Sequence, residues 1–397
     1  MSENKALQSV SGLNNLTSIN GSMHIERNDQ LTSIADFSKL TSISPGSGVV
    51  SFKHNKALTS LKGLEGITSL DATSFEYDVS LEIINNASLT SLSGLDNLEN
   101  IEGSLTIEKN SNLVSLEGLE KLTRVRDLLT VWENDALTSL DGLDGLTTVL
   151  DDVNIDYNYS LVSIAGLSSL TTLGRDFILR AGNMLPNLSG LEGISSIPGS
   201  LLIGGVESLE GLNNLTSVGN CIEITNNPML TSLDGLEALA DVGICVGGED
   251  SEVPSPDTTI TIGTEYSPNP KLFNFCAISS LVANDEDITE DNYIVNDNGY
   301  NPTYAEVQEA ASCYVLSVKD LKDIEHAIAY PNPTTAYVMF RNPEMIVDID
   351  IYDAIGKHVF SVSSPKLLDV KSLKKGVYFL HLNLIDRKKK IIKVLKQ

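Results

Sequence analysis

Three aromatic side chains offer the clearest means of binding a ligand. Trp132 is the only tryptophan in the chain, and Tyr157 and Tyr159 occupy nearly the same place in the next unit of a sequence repeat. Aromatic rings stack on sugars and on partner side chains, so these three residues form the candidate binding site. The alternative is that they are single aromatic side chains on a repetitive surface, which occur commonly without any role in binding.

Acidic side chains are the second group with a capacity for chemistry. The chain of 397 residues carries 53 Asp and Glu against 27 Lys and Arg, a formal net charge of −26. This balance argues against nucleic acid as a partner. The acidic segments 249–257 and 284–297 could bind calcium, but neither has the spacing of an EF-hand. We therefore predict no cofactor, with calcium as the one open alternative.

Catalysis and zinc binding have little support in the sequence. Carboxylate pairs such as Asp151 and Asp152 are expected in so acidic a chain and fit a solvated surface better than acid–base catalysis. No Ser or Cys nucleophile is marked out beside His24 and His54, and the chain has no C-x-x-C pair. We therefore predict a protein that is not an enzyme and has no metal site.

The four cysteines form two candidate disulfides. Cys221 and Cys245 are separated by one unit of the repeat, so they would lie on stacked turns at a separation that a disulfide can span. Cys276 and Cys313 bracket a segment that a second disulfide would close into a loop. Two disulfides fit an exported protein, and four free thiols are the alternative.

A repeat of about 24 residues must position these side chains. The apolar residues of segment 113–137 fit neither a sustained period of 3.6 nor one of 2.0, so each unit predicts a short strand between turns. Stacked units would pair the strands into a long parallel sheet that buries each coil against its neighbours. No apolar run reaches the roughly 18 residues that a membrane helix needs. The Gly-Leu pair that marks each unit recurs at Gly12, Gly63, Gly94, Gly118, Gly142, Gly166, Gly190, Gly211 and Gly235.

An asparagine follows each predicted strand. An inward Asn can satisfy its amide by bonding the turn backbone of its own and adjacent coils, so we interpret this column as structural. Its predicted members are Asn28, Asn55, Asn86, Asn110, Asn134, Asn158, Asn183, Asn227 and Asn269.

The unit L-x-x-L-x-G-L-x-x-L-T-x-V-x-G-x-L-x-I-x-x-N resembles bacterial leucine-rich-repeat proteins related to receptor L domains. The resemblance covers residues 4 to about 247, and it implies a binding or adhesion module without naming a ligand. The segment from Phe275 to Cys313 is similar to the closing cap of such proteins. The chain starts in the middle of a repeat without a signal peptide, which suggests a truncated or misassigned reading frame.

Residues 327–397 differ from the rest in charge and pattern, with 12 Lys and Arg against 6 Asp and Glu. Val347, Ile349 and Ile351 alternate with aspartates, and such short runs between turns predict an antiparallel β-sandwich. The stretch closely resembles the C-terminal sorting domain of the type IX secretion system of Bacteroidetes. The resemblance implies export through that machinery. The residues that match the sorting signal are Tyr330, Pro331, Asn332, Pro333, Gly356, Lys357, Gly376 and Tyr378.

Together these observations predict a mainly β protein, a solenoid of about ten coils followed by a small sandwich. We expect a non-catalytic recognition or adhesion protein, extracellular or on the outer-membrane surface, whose partners are the secretion machinery and a surface glycan or protein. The alternative is a passive structural spacer. The predicted domains are a solenoid over 1–247, an acidic insertion and cap over 248–313, a linker over 314–326, and the sorting domain over 327–397.

Overall fold

The chain folds as two units, Met1–Gln308 and Glu309–Gln397, each described by itself. The computed structural model describes residues 1–44, 48–71, 80–245, 258–272, 274–299, 301–308, 329–330, 337–340, 346–363, 367–385 and 389–396.

The first unit is built around one parallel sheet of eleven strands, which confirms the predicted solenoid. Leu129 of one strand pairs with Leu105 before it and Val153 after it, so the register equals one repeat. The strands are Met23–Glu26, Val49–Lys53, Ser80–Ile84, Leu105–Glu108, Leu129–Trp132, Val153–Asp156, Phe177–Leu185, Leu201–Val206, Ile222–Ile224, Ile260–Ile262 and Tyr293–Val295.

Shorter parallel strands line a second side of the coils. Six of the ten follow a Leu-Thr step of the repeat, and the stacking again joins equivalent residues of neighbouring coils. They form sheets of two, five and three strands: Ser18–Asn20 and Ser42–Ser44; Ser69–Leu70, Asn100–Ile101, Arg124–Val125, Thr148–Val149 and Thr172–Leu173; Ser196–Ile197, Ser217–Val218 and Asp241–Val242. Short 3₁₀ turns occur at Ala35–Phe37, Ala165–Leu167 and Cys276–Ile278.

The core is a continuous stack of the repeated apolar residues. Leu113, Leu116, Leu119 and Leu122 of a single coil are all fully buried, and their counterparts in other coils join the same cluster. An isolated coil would expose these side chains on two sides. Its burial therefore depends on the coils before and after it, and stability accumulates along the stack.

The solenoid sheet continues past residue 247. Ile260–Ile262 pairs with Ile222–Ile224, and Tyr293–Val295 pairs with Ile260–Ile262, so the segment predicted as insertion and cap supplies two more strands. Two short helices, Ser279–Asn284 and Tyr304–Gln308, pack against each other in the same segment. The apolar residues of this segment, such as Leu281 and Val282, belong to the solenoid core.

The asparagine column is a ladder of hydrogen bonds, as predicted. Asn134 is fully buried; its Oδ1 accepts the backbone amide of Asn110 at 3.0 Å, and its Nδ2 donates to the carbonyl of Ile107 at 2.9 Å. The residue before most of these Asn supports this geometry with a left-handed backbone, for example Lys109 and Tyr157 at φ of 56° and 55°. Asn4 and Asn298 also bond to ladder members, which the sequence interpretation missed.

The strand pairing becomes irregular near the predicted position of Asn183. The residue one repeat after Asn158 is Gly182, so Asn183 is one residue out of phase, and the strand register shifts between Arg180 and Leu185. In the next coil Val206 takes the position, and its amide donates to Asn227 Oδ1 at 2.9 Å. The side chain of Asn183 lies outside the described residues, so its place in the column stays a prediction.

The second unit contains two antiparallel sheets, as the sandwich prediction required. Side chains of both sheets, such as Val338 and Leu382, share one core. The structure corrects the predicted alternation at Val347. An irregularity in the strand pairing between Ile346 and Asp348 turns Val347 outward, and Ile346 is buried in its place. The sheets comprise Ala329–Tyr330, Tyr337–Phe340 and Leu367–Asp369, and His358–Ser363, Ile346–Asp353, Gly376–Leu384 and Lys389–Lys396.

Candidate functional site

The candidate site lies on the outer face of the eleven-stranded sheet. In Leu129–Trp132 the side chains alternate, so that Leu129 and Val131 are buried while Thr130 and Trp132 face outward and remain partly exposed. Trp132 pairs in register with Glu108 of the preceding coil and Asp156 of the following coil. A large aromatic ring thus stands between two acidic residues.

The structure brings Trp132 and Tyr157 together, as the sequence suggested. Their ring centroids are 6.2 Å apart and their planes meet at 71°, an edge-to-face arrangement. Tyr157 follows its strand directly, with a left-handed backbone, and it remains 41% exposed. The pair therefore forms an aromatic surface shared by two adjacent coils.

Tyr159 does not join this ring contact within the described part of the chain. It is 54% exposed, and its ring lies against Gly182 of the next coil. A Cβ at position 182 would come within 2.6 Å of the Tyr159 ring, so the glycine provides the space for this packing. Of the three predicted binding residues, the structure places two in one cluster and the third beside it.

Lys109 completes the cluster and was missed by sequence reasoning. Its Nζ lies 4.1 Å from the centroid of the Trp132 ring, close enough for a cation–π interaction. The same ammonium is 2.5 Å from Glu108 Oε1 and 3.7 Å from Glu133 Oε2. The hydrogen bond to Glu108 raises the pKa of Lys109, and both carboxylates add to the effect. The sequence spacing could have predicted this contact. Lys109 precedes Trp132 by nearly one repeat, and residues at that spacing lie on adjacent coils.

A buried carboxylate extends the site on the other side of Trp132. Asp156 Oδ1 accepts the backbone amide of Arg180 at 2.9 Å, and its Oδ2 lies 3.2 Å from the guanidinium of the same residue. The Asp156 side chain is only 3% exposed, so this ion pair lies largely out of solvent. It fixes the polar edge of the aromatic cluster.

Glu223 lies further along the same face and is half-buried. Burial raises the pKa of its carboxyl, and the hydrogen bond from Thr225 at 2.9 Å and the charge of Arg180 oppose that rise. Arg180 therefore interacts with carboxylates on both sides of its own coil. This part of the face is a charged network and not a set of independent surface residues.

A cavity of about 420 Å³ lies on the first coils, away from the aromatic cluster. Four of its charged groups form two ion pairs, with Arg27 at 3.3 Å from Glu3 and Lys56 at 3.2 Å from Asp29. Within the described ranges, no three His, Cys, Asp or Glu side chains lie close enough to hold a metal ion together. The acidic segment 249–257 lies outside the described residues.

One of the two predicted disulfides is confirmed. Cys221 and Cys245 are bonded, with their Cα atoms 4.9 Å apart across one coil. The predicted partner of Cys276, Cys313, lies outside the described residues, so that pairing stays a prediction.

The predicted sorting residues occupy turns and one strand of the second unit. Gly356 has a φ of 80° in a turn where the Lys357 amide donates to Asp353 Oδ1 at 2.9 Å. Gly376 begins a strand in which Tyr378 is buried and donates its hydroxyl to the Lys374 carbonyl at 3.0 Å. Tyr330 ends the short strand Ala329–Tyr330, and Pro331, Asn332 and Pro333 lie outside the described residues.

Part of each unit is similar to a known family. The family model for a secretion system C-terminal sorting domain matches residues 328–396, and the model for a receptor L domain matches residues 17–118. The chain is a leucine-rich-repeat-like protein with a type IX sorting domain. The sorting domain implies a Bacteroidetes origin, contact with the secretion machinery, and secretion or attachment at the cell surface.

No curated protein matches this leucine-rich-repeat-like protein along its chain. No helix among its described residues is long and apolar enough to cross a membrane. The receptor L domain match, over residues 17–118, suggests a binding role.

Proposed function

We propose that this protein is a non-catalytic recognition or adhesion module that binds a surface glycan or protein through the outer face of its sheet. The observation that carries the proposal is the cluster of Lys109, Trp132 and Tyr157 on adjacent coils. Large aromatic side chains with polar neighbours are the residues that most often dominate binding energy at interfaces.

The position of the cluster supports this function. The repeat buries its apolar residues inward, so structural packing of the core does not require a tryptophan at an outward position. The equivalent outward positions in the neighbouring coils are Glu108 and Asp156, which are charged. An aromatic pair flanked by two charged positions is the localised feature expected of a binding surface, and it needs neither a cofactor nor a catalytic group.

The spacer function remains the second candidate because other parts of the same face are satisfied internally. Lys53 lies 2.6 Å from Glu82, and Ser51 donates to Glu26 at 2.8 Å. A face whose charges pair with one another offers little to a partner. The two functions therefore differ in whether the aromatic cluster binds anything.

A glycan array and a binding assay on bacterial and host cell surfaces distinguish them, using the full chain and its Trp132→Ala variant. The matched control is Tyr266→Ala, which removes an aromatic side chain that is 91% exposed and distant in sequence from the cluster. We expect saturable binding that Trp132→Ala weakens at least about tenfold, as for a central aromatic residue of an interface, while Tyr266→Ala leaves it unchanged.

Repeating the assay with calcium and with a chelator tests the calcium alternative. Equal binding in both conditions supports recognition without a cofactor. If a folded preparation of the full chain binds no glycan, cell or protein in either condition, the recognition function is wrong and the spacer function takes its place.

A further inference from the structure

The ammonium of Lys109 occupies a site with the groups that recognise organic cations. It lies over the Trp132 ring at 4.1 Å from the centroid, and carboxylate oxygens of Glu108 and Glu133 lie 2.5 Å and 3.7 Å from it. An aromatic face combined with nearby carboxylates binds ammonium and guanidinium groups by electrostatic attraction. The edge-to-face contact of Tyr157 with Trp132 adds a second ring to the same surface.

The groups that surround the ammonium are held by the coil stack, whereas Lys109 reaches them with a flexible side chain. Glu108 and Trp132 are paired strand residues, and Glu133 has a left-handed backbone set by the asparagine ladder. Lys109 is 41% exposed at its side chain, so it can leave the Trp132 ring without unfolding any element. The site persists when its internal occupant is displaced.

The charge of the protein favours a cationic occupant from outside. The whole chain has a net charge of −26, although residues 327–397 carry an excess of Lys and Arg. The solenoid is therefore even more acidic than the chain as a whole. A field of this sign attracts basic partners and repels acidic ones.

We propose that the Lys109 ammonium occupies the position of a ligand cation in the unbound protein. The partner of this face is then a protein or peptide that places a lysine or arginine side chain over Trp132. This inference rests on the proposed recognition function and names the chemistry of its partner. A neutral glycan would instead stack on the face of the Trp132 ring that the ammonium covers. Binding of such a glycan is the competing outcome of the test.

The single tryptophan makes the site directly observable. We would titrate the full chain and its Lys109→Met variant with tetramethylammonium at constant ionic strength and follow Trp132 fluorescence. Methionine keeps the length of the side chain and removes its charge. We expect an apparent Kd about tenfold lower in Lys109→Met than in the natural chain, because the competing cation has gone. Adding Glu133→Gln to the variant should reverse most of that gain.

Lys53→Met is the matched control, since Lys53 pairs with Glu82 on the same face without an aromatic ring in the contact. It should leave the tetramethylammonium titration unchanged. Equal affinity in the natural chain and Lys109→Met, or an equal gain in Lys53→Met, would overturn the proposal. A gain in the affinity of Lys109→Met for neutral sugars alone would also overturn it.

The same variants separate this inference from the recognition function. If Trp132→Ala abolishes cell-surface binding while Lys109→Met gains nothing for tetramethylammonium, recognition stands and the cationic ligand class is wrong. A hexa-arginine peptide should compete with tetramethylammonium in Lys109→Met, and failure to compete contradicts the proposed peptide partner.

Discussion

Asn134 Oδ1 accepts the backbone amide hydrogen of Asn110 at 3.0 Å, and its Nδ2 donates to the carbonyl of Trp132 at 3.1 Å. One buried side chain therefore joins two coils and also holds the end of the strand that presents the aromatic site. The same arrangement recurs up and down the stack, which explains how a repeat with little regular secondary structure fixes its outer face.

Replacing Asn134 by Ala should destabilise the solenoid. The change removes the side-chain partner of the Asn110 amide, which costs about 1–3 kcal/mol, and the bond to the Ile107 carbonyl, which contributes about 1 kcal/mol, so we expect a loss of about 2–4 kcal/mol. Urea unfolding followed by Trp132 fluorescence measures it. Asn112→Ala, which removes an exposed side chain with one hydrogen bond, should lose less than about 1 kcal/mol. Equal losses in the two variants would contradict the structural function of the ladder.

Gly142 and Gly12 separate two effects of adding a side chain. Both have a positive φ, 109° and 100°, but a Cβ at Gly142 would overlap the carbonyl oxygen of Leu116, whereas one at Gly12 meets nothing within 4 Å. Gly12→Ala should therefore lose only about 1–3 kcal/mol from backbone strain, and Gly142→Ala should lose clearly more. Denaturant titration of both variants provides the comparison. A smaller loss in Gly142→Ala than in Gly12→Ala would show that the coils can separate to admit the methyl group.

The Cys221–Cys245 disulfide closes a loop one coil long. Restricting a loop of this size in the unfolded chain contributes about 3 kcal/mol, so the double variant Cys221→Ser, Cys245→Ser should lose about that much stability. Thermal unfolding of the variant and the natural chain under oxidising conditions measures the loss. Unchanged stability would mean that the stacked coils alone fix this end of the repeat.

Glu223 should make stability depend on pH. Burial raises the pKa of its carboxyl above the value of 4.5 in the unfolded chain, so the folded protein holds the proton to higher pH. Stability should therefore fall as pH rises from 4.5 through the raised pKa, and the full penalty should be present once the pH lies above that pKa.

Glu223→Gln removes this penalty and keeps an oxygen that can accept the hydrogen bond of Thr225. We expect its Tm to exceed that of the natural chain by a few degrees at neutral pH and to match it at about pH 4, where both side chains are neutral. Glu207→Gln, at an exposed position, should show no such dependence. A lower Tm at neutral pH would mean that attraction to Arg180 outweighs burial.

Sequence reasoning identified the coil, its turns and the sorting domain because each rests on local patterns that repeat or occur in order. It was less accurate about which side chains of a strand face the core. Val347 matched a strand alternation that an irregularity in the pairing shifts by one residue. The error arises because a shift of one residue in a strand reverses which side chains face the core.

The amino-acid sequence by itself determined the solenoid, its buried asparagine ladder, one disulfide and the export signal. A repeat of one length admits one stacking register, and that register alone places Cys221 beside Cys245. Only the tertiary structure decided what surrounds Trp132. Lys109 and Tyr157 reach the ring from the coils on either side, and which long side chains meet there depends on rotamers and charges that no repeat pattern encodes.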